Sequence, residues 1–470
     1  MTEQNIIKPV EYKVTYTNHS PEGGQIISPL WFAMHDGSYD YFNAGEKASK
    51  AVEYMAEDGE VGNPNNRMTP EFMQVLVDDG LDSTKVPPAE ETLSGKFAVS
   101  EAAKNGGYQD LLITNDAATF AHPLPGDSAS VSFEYELDAG KNKYFSYATM
   151  PFPTNDGFIG NDDAKEVAVY DEQGYFIGAN FDVYGEDVWD AGTEINDETF
   201  ETLPYNGHQM FVGGVDEHGV VHKHPGLLPK GAGGAVDFEL EGEKVFPNSD
   251  FGKSGYHFLN IQVSALYQGT ENADKIIGSL GDDKIYGNDG NDEIYGDPLS
   301  TEADKYEVGG NDTIYGGKGD DKIYGQIGDD VIYGDDGNDT IHGNKGNDLL
   351  RGGNHHDWLH GGEGYDTLYG DAGNDHIYGG EGDDILYGGE GYDKFYLAPN
   401  TGYDVIKDFN VEQDYISLAG GLTYVDIEVT QLGSSAVISA GESELAILTN
   451  VEAEQLTEDN FGQINGEIAF

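Results

Sequence analysis

Residues 379–387 read GGEGDDILY, and this nine-residue phrase recurs in frame from about residue 269 to residue 396. Its aspartate falls at Asp274, Asp283, Asp292, Asp312, Asp321, Asp330, Asp339, Asp348, Asp357, Asp366, Asp375, Asp384 and Asp393. The step is nine throughout, except for one step of twenty between Asp292 and Asp312. Glycine stands two residues before the aspartate in eleven of the thirteen units, and Ile, Leu or Phe two residues after it, as at Ile285, Ile323, Leu368 and Phe395. Glycine admits positive φ and close backbone approach, so the first half of the phrase is a tight turn. The second half is a very short strand with one side chain pointing inward. Such a unit cannot bury a core by itself, but stacked copies can, as a solenoid with a column of Ile and Leu inside.

An aspartate at every turn, beside turn carbonyls, is a set of hard oxygen ligands suited to Ca²⁺. Mg²⁺ fits worse because it retains its waters, and Zn²⁺ prefers His or Cys. Stacked carboxylates without cations repel one another, so binding free energy becomes folding free energy. One Gly-x-Asp is an ordinary solvated turn. Thirteen in frame, with the apolar position also in frame, are not.

The units closely resemble the RTX nonapeptide repeat, GGxGxDxUx, over about residues 269–396. The resemblance implies a parallel β-roll in which two nonapeptides make one coil and units two apart share a calcium. The thirteen aspartates would be the side-chain ligands, assisted by turn carbonyls. It also implies export in an unfolded state through a bacterial type I exporter, with folding outside the cell. Residues 402–409 (GYDVIKDF) and Asp414 are similar to the usual RTX cap, and residues 456–461 (LTEDNF) with the terminal IAF to such export signals. The twenty-residue step leaves two readings open: an eleven-residue loop within one unit, or a degenerate unit, since TEADKY at 301–306 echoes TENADKI at 270–276.

Composition agrees. Asp+Glu is 87 against Lys+Arg 24, a net charge of −63. That excludes the basic footprint of a nucleic-acid binder and opposes anionic membrane surfaces. There is no cysteine, hence neither disulfides nor thiolate sites. The first residues lack the basic and apolar regions of a secretory signal peptide, and no apolar run is long enough to span a membrane.

Residues 1–268 have a different texture. Residues 12–18, 128–138, 166–170 and 256–266 alternate like strands. Residues 44–57 place Ala48, Ala51, Val52, Met55 and Ala56 on one helical face, and Thr69-Pro70-Glu71 opens a further helix. The segment from Tyr12 to about Ile195 resembles a bacterial spondin N-terminal domain. The carrying pieces are YKVTYTN, SPLWFAMHDG, FNAGEKAS, PLPGDS, FSYATMPFPTNDGFIGN and DAGTE. The resemblance implies an antiparallel β-sandwich with an adhesive role, no catalysis, and a metal site at Asp156, Asp190 and Glu194. It lacks the disulfides of the animal members, and Glu194 is one methylene longer than the aspartate often found there.

The expected architecture is thus mainly β. A sandwich with short helices occupies 1–268, a calcium-bound parallel β-roll 269–397, and a cap with a secretion signal 398–470. The expected protein is secreted and calcium-binding, with an adhesive head for a glycan, matrix or protein ligand. Two alternatives stand beside it: an extracellular hydrolase using residues such as His35, Asp36 or His122, and a surface-layer protein assembled through calcium. No HExxH, GxSxG or P-loop is present. Three histidines at 218–224 are read as a structural loop. Within residues 352–362 (GGNHHDWLHGG), His355 takes a glycine position, so that turn is expected to be the weakest rung of the ladder, while His360 takes the outward Tyr position.

Overall fold

The computed structural model describes residues 5–21, 26–28, 30–52, 56, 89–112, 126, 128–152, 157–191, 221–224, 239–240, 243–244, 251, 255–299 and 308–463. They fall into two compact units. One comprises Met1–Tyr12 with Ser264–Phe470, the other Lys13–Val263. Among the described residues no helix is long and apolar enough to cross a membrane.

The first unit is the expected parallel solenoid. Strands pair with the strand two nonapeptides away, as Lys322–Ile327 with Thr340–Lys345 and Val331–Asp336 with Leu349–Asn354. Alternate nonapeptides therefore build two parallel sheets, and one coil is two units. The apolar position of each unit points between the sheets. Ile323, Ile341, Leu359 and Ile377 form one column, Ile332, Leu350, Leu368 and Leu386 the other, and all are fully buried. Each such side chain contributes roughly 1.5–3 kcal/mol on burial. One per nine residues is little against the ordering of nine backbones.

The long step is resolved by register. Thr313 pairs with Lys284, 29 residues away, whereas Val331 pairs with Thr313 at the regular 18. Eleven extra residues are therefore inserted between Asp297 and Gly309, and the frame resumes beyond them. At one edge Asn5–Ile6 pairs in parallel with Asp274–Ile277. At the other, an antiparallel meander of Ile427–Leu432, Ser435–Ala440 and Ser443–Leu448 joins in parallel to Asp404–Ile406. Phe461–Gln463 pairs with Tyr415–Leu418, and Phe461 is buried, so the end of LTEDNF packs into the cap.

The outward position after each apolar residue stacks with its counterparts. Tyr286, Tyr315 and Tyr333 form one column at centroid spacings of 5.0 and 4.9 Å. Tyr295, Tyr324, His342, His360 and Tyr378 form the other. His360 is thus half-buried between rings rather than open to solvent, and burial lowers its pKa to about 4.

The second unit contains an antiparallel sheet in the order His222–Lys223, Val188–Asp190, Gly157–Gly160, Tyr144–Thr149, Leu30–His35, Tyr108–Leu112. One face packs Trp31, Tyr39, Phe42, Phe97, Phe158 and Trp189 into an aromatic core. Ala51, Val52 and Ala56, three positions of the helical stripe read from sequence, join it. Thr92 and Ser100 cap the short helices Leu93–Ala98 and Glu101–Lys104, each accepting a backbone N–H. The helix expected after Thr69 lies outside the described residues. The strands read at 128–138 and 166–170 are shorter than expected, Ser128–Phe133 and Val167–Ala168.

Candidate metal centre

All thirteen repeat aspartates are buried, none more than 3% exposed. They form a ladder. From Asp292 to Asp393, Oδ1 of each accepts the backbone N–H of the aspartate one coil earlier, as Asp357 from Asp339 and Asp375 from Asp357, at 2.8 and 2.9 Å, while Asp283 Oδ1 accepts from Ala265. The other oxygen, Oδ2, has no hydrogen-bond partner at Asp292, Asp312, Asp321, Asp330, Asp339, Asp348, Asp357, Asp366, Asp375, Asp384 and Asp393. A buried carboxylate oxygen without a donor is costly unless a cation meets it.

The turn is shaped around that oxygen. A Cβ on the first glycine of the turn, such as Gly343 or Gly361, would collide with Oδ2 of Asp348 or Asp366. The glycine before the aspartate, such as Gly346 at φ +131°, lies against the carbonyl of Gly328 one coil earlier. Space favours glycine at the first position, and both space and φ favour it at the second.

Burial foremost, with neighbouring carboxylates adding, raises the pKa of the repeat aspartates from Asp283 onward. Asp292, Asp384 and Asp393 rise to about 6, Asp339, Asp348 and Asp375 to about 7, Asp321, Asp357 and Asp366 to about 8, and Asp330 to about 9. A site that resists ionisation without a cation binds one in competition with protons. Among the described residues no three His, Asp or Glu side chains converge on one metal position. A cation here needs backbone oxygens as well, which suits Ca²⁺ and not a side-chain-only zinc site.

The thirteen rungs are not alike. At Asp274, Oδ2 accepts from the N–H and hydroxyl of Thr270, and at Asp283 it accepts from the N–H of Ser279. These two carboxylates are satisfied by protein. At the far end the ladder runs on through Asp404 and Asp414, whose Oδ1 atoms accept the N–H of Asp384 and Asp393. Asp408 accepts from Gly388 and Gly389.

His355 has φ +84°, as its glycine position requires. Its N–H still reaches Ala372 O at 2.7 Å, matching Gly346 to Glu363 at 2.9 Å. Asp357 keeps both its ladder bonds and its open Oδ2, so the turn forms with His355 at the positive φ expected from sequence. His356 belongs to a second, exposed ladder. Its N–H donates to Asn338 Oδ1, and its Nδ1 accepts the N–H of Asn374.

In the second unit Asp156 and Glu194 lie outside the described residues. Asp190 is buried at the end of Val188–Asp190, with Gly157 as its register partner. A recess of about 300 Å³ nearby is lined by Tyr147, Trp189, Asp162, Glu166, Asp187 and Lys223. The Lys223 ammonium sits 3.8 Å from the Trp189 ring centroid. Burial, then Asp162 and Asp187, raises the pKa of Glu166. His35, a hydrolase candidate, is fully buried. Its Nδ1 accepts the N–H of Gly37, so Nε2 carries the proton and donates to Ser146 Oγ at 2.9 Å. An imidazole in that tautomer cannot take the serine proton. Asp36 is engaged by Ser38 and Asn105. His122 lies outside the described residues.

Comparison with known proteins places the solenoid in a class. Residues 268–298, 308–341, 333–368 and 366–395 match the family described as RTX calcium-binding nonapeptide repeat (4 copies). The stretch is therefore a run of RTX calcium-binding repeats, and the break in the match falls on the loop after Asp297. Among solved structures, the chain is similar to the extracellular lipase LipA from Serratia marcescens at 19% identity, covering 42% of this chain and 39% of the lipase, with a TM-score of 0.19. It is also similar to the AlgE6R3 subunit of the Azotobacter vinelandii mannuronan C5-epimerase at 26% identity, covering 35% of this chain and 86% of that one, with a TM-score of 0.14. This chain thus spans well under half of the lipase. No curated protein matches the sequence.

Proposed function

We propose that this is a secreted calcium-dependent surface or matrix protein whose solenoid folds on calcium after export and whose N-terminal unit binds an extracellular glycan, matrix or protein ligand rather than catalysing a reaction. The observation that carries the calcium half is the row of eleven buried Oδ2 atoms without donors. Each is an incomplete hydrogen-bonding group in the protein alone and a complete ligand once a hard cation is added. Export as an unfolded, strongly acidic chain through a type I exporter is in keeping with this: a calcium-poor interior keeps the repeats open and a calcium-rich exterior closes them.

The reading of the head as a spondin-like adhesive module is supported by the antiparallel sheet and by the pairing of Gly157, the residue after Asp156, with Asp190. The recess with an aromatic wall and a charged rim is a surface suited to a polar ligand. The deciding experiment is a glycan and matrix-protein array probed with and without calcium, run beside a turnover assay on ester, peptide and polysaccharide pools. Saturable binding without turnover is expected. Turnover lost on changing a single histidine would overturn the adhesive reading.

A further inference from the structure

The loop-bearing turn differs from the other turns in what stands after its first glycine. At the first two rungs that residue is Thr270 or Ser279. Each donates to the Oδ2 of its own rung's aspartate. At most later rungs it is a residue at positive φ, such as Asp335 at +74° or Asp371 at +71°. At the loop it is Asp297, which stays out of the left-handed region and is only 4% exposed.

Asp297 therefore takes the place of Thr270 and Ser279, whose backbone N–H and hydroxyl groups donate to the rung carboxylate, whereas its own carboxylate cannot donate. It accepts instead, Oδ1 from the Gly310 N–H at 3.2 Å and Oδ2 from the Ile327 N–H at 2.9 Å. The rung's own aspartate, Asp312, is 1% exposed, with Oδ1 on the Asp283 N–H and Oδ2 without a partner. That Oδ2 is packed so closely on Gly296, the neighbour of Asp297, that a Cβ there would collide with it. Asp297 in turn packs on Gly309, on the Asp312 side of the loop. Two buried acceptors thus border one turn, two units of negative charge are met only by backbone N–H groups, and one oxygen is left open. Like charges in such a position need a counter-ion.

We propose that the loop-bearing turn is a cation site of its own kind, in which Asp297 and Asp312 together offer two carboxylates to one Ca²⁺-sized hard cation, and that it is the tightest site in the solenoid. The proposal rests on the calcium reading of the repeats. Affinity for Ca²⁺ rises with the number of charged ligands, and among the described turns from Asp274 to Asp393 Asp297 is the one buried aspartate added at this position to the rung's own.

The test is equilibrium dialysis of the full chain against radioactive calcium for the wild type, Asp297→Asn, Asp297→Ser and Asp348→Asn. The wild type is expected to fill one tight site before the rest. Asp297→Asn should weaken that phase on the order of tenfold and leave the later sites in place. Asp297→Ser restores the donor used by Thr270 and Ser279, so it should fold in calcium and still lack the tight phase. Asp348→Asn should keep the tight phase and disturb only the later one. Superimposable isotherms for the wild type and Asp297→Ser would overturn the proposal, as would loss of the tight phase in Asp348→Asn alone. A wild type that binds no calcium would bring down the calcium reading itself, a result visible before any variant is made.

Discussion

The two units reach stability by opposite means. The Lys13–Val263 unit packs Trp31, Phe97, Phe158 and Trp189 into one aromatic core, with helices whose caps are satisfied by their own hydroxyls. The solenoid has one inward aliphatic in each nonapeptide and a row of buried carboxylates that its own donors leave half satisfied. The described core of one region is closed by its own side chains, while the other leaves buried oxygens that a cation would complete. A short repeat can specify a shape fully and still leave its folding conditional.

Chelation combined with pH separates them most strongly. Asp292 and the nine repeat carboxylates from Asp321 to Asp393 are pushed up by burial to about 6 to 9 in the folded chain, above their ordinary value of 3.8. Between those limits the folded state holds more protons than the unfolded one, so stability of the calcium-free solenoid falls as pH rises from about 4 to about 9. In EDTA the strand signal by circular dichroism should be greater at pH 5 than at pH 8. In calcium the dependence should reverse, because protons compete with the ion.

Core truncation is next in size. Trp31→Ala should cost about 3–5 kcal/mol in the N-terminal unit, equally with and without calcium. Leu359→Ala should cost about 2–5 kcal/mol, measurable only with calcium present. A calcium-dependent Trp31→Ala penalty would dissolve the distinction between the units. Smaller again is Asp348→Asn, which keeps a hydrogen-bond acceptor and removes the charge. It should raise the calcium midpoint of folding while leaving a folded end state. His355→Gly should shift stability least, by about 0.5–1 kcal/mol towards the folded state, because it relieves φ +84° at a turn that is already formed.

Much of the solenoid was legible from residues alone, because its period of nine places the same chemistry at the same point of every coil. The inward column follows from that period and the coil of two units from the resemblance to the RTX repeat, whereas the burial of the aspartates is visible only in the structure. The loop was ambiguous because TEADKY imitates a repeat in composition. Only the 29-residue register from Lys284 to Thr313 separates a loop from a unit. The satisfied state of Asp274 and Asp283 depends on the backbone N–H and hydroxyl of Thr270 and Ser279, which stand in a variable position. Asp297 escaped notice for a related reason: it lies outside the aspartate frame, and its burial follows from local backbone conformation that the period does not encode. His360 went wrong because an outward side chain on a solenoid is still covered by its neighbours one coil away. The Lys13–Val263 unit has no period, so its strands could be read only where alternation was clear.

The central claim is that calcium orders the solenoid and leaves the N-terminal unit as it is. Hydrogen exchange read by mass spectrometry, on the full chain at pH 7.5 with calcium and with EDTA, tests it most directly. Peptides across 274–397 are expected to be protected in calcium and to exchange fully in EDTA, while peptides across 30–35 and 144–149 keep the same protection in both. Protection of the 274–397 amides that survives EDTA would contradict the claim.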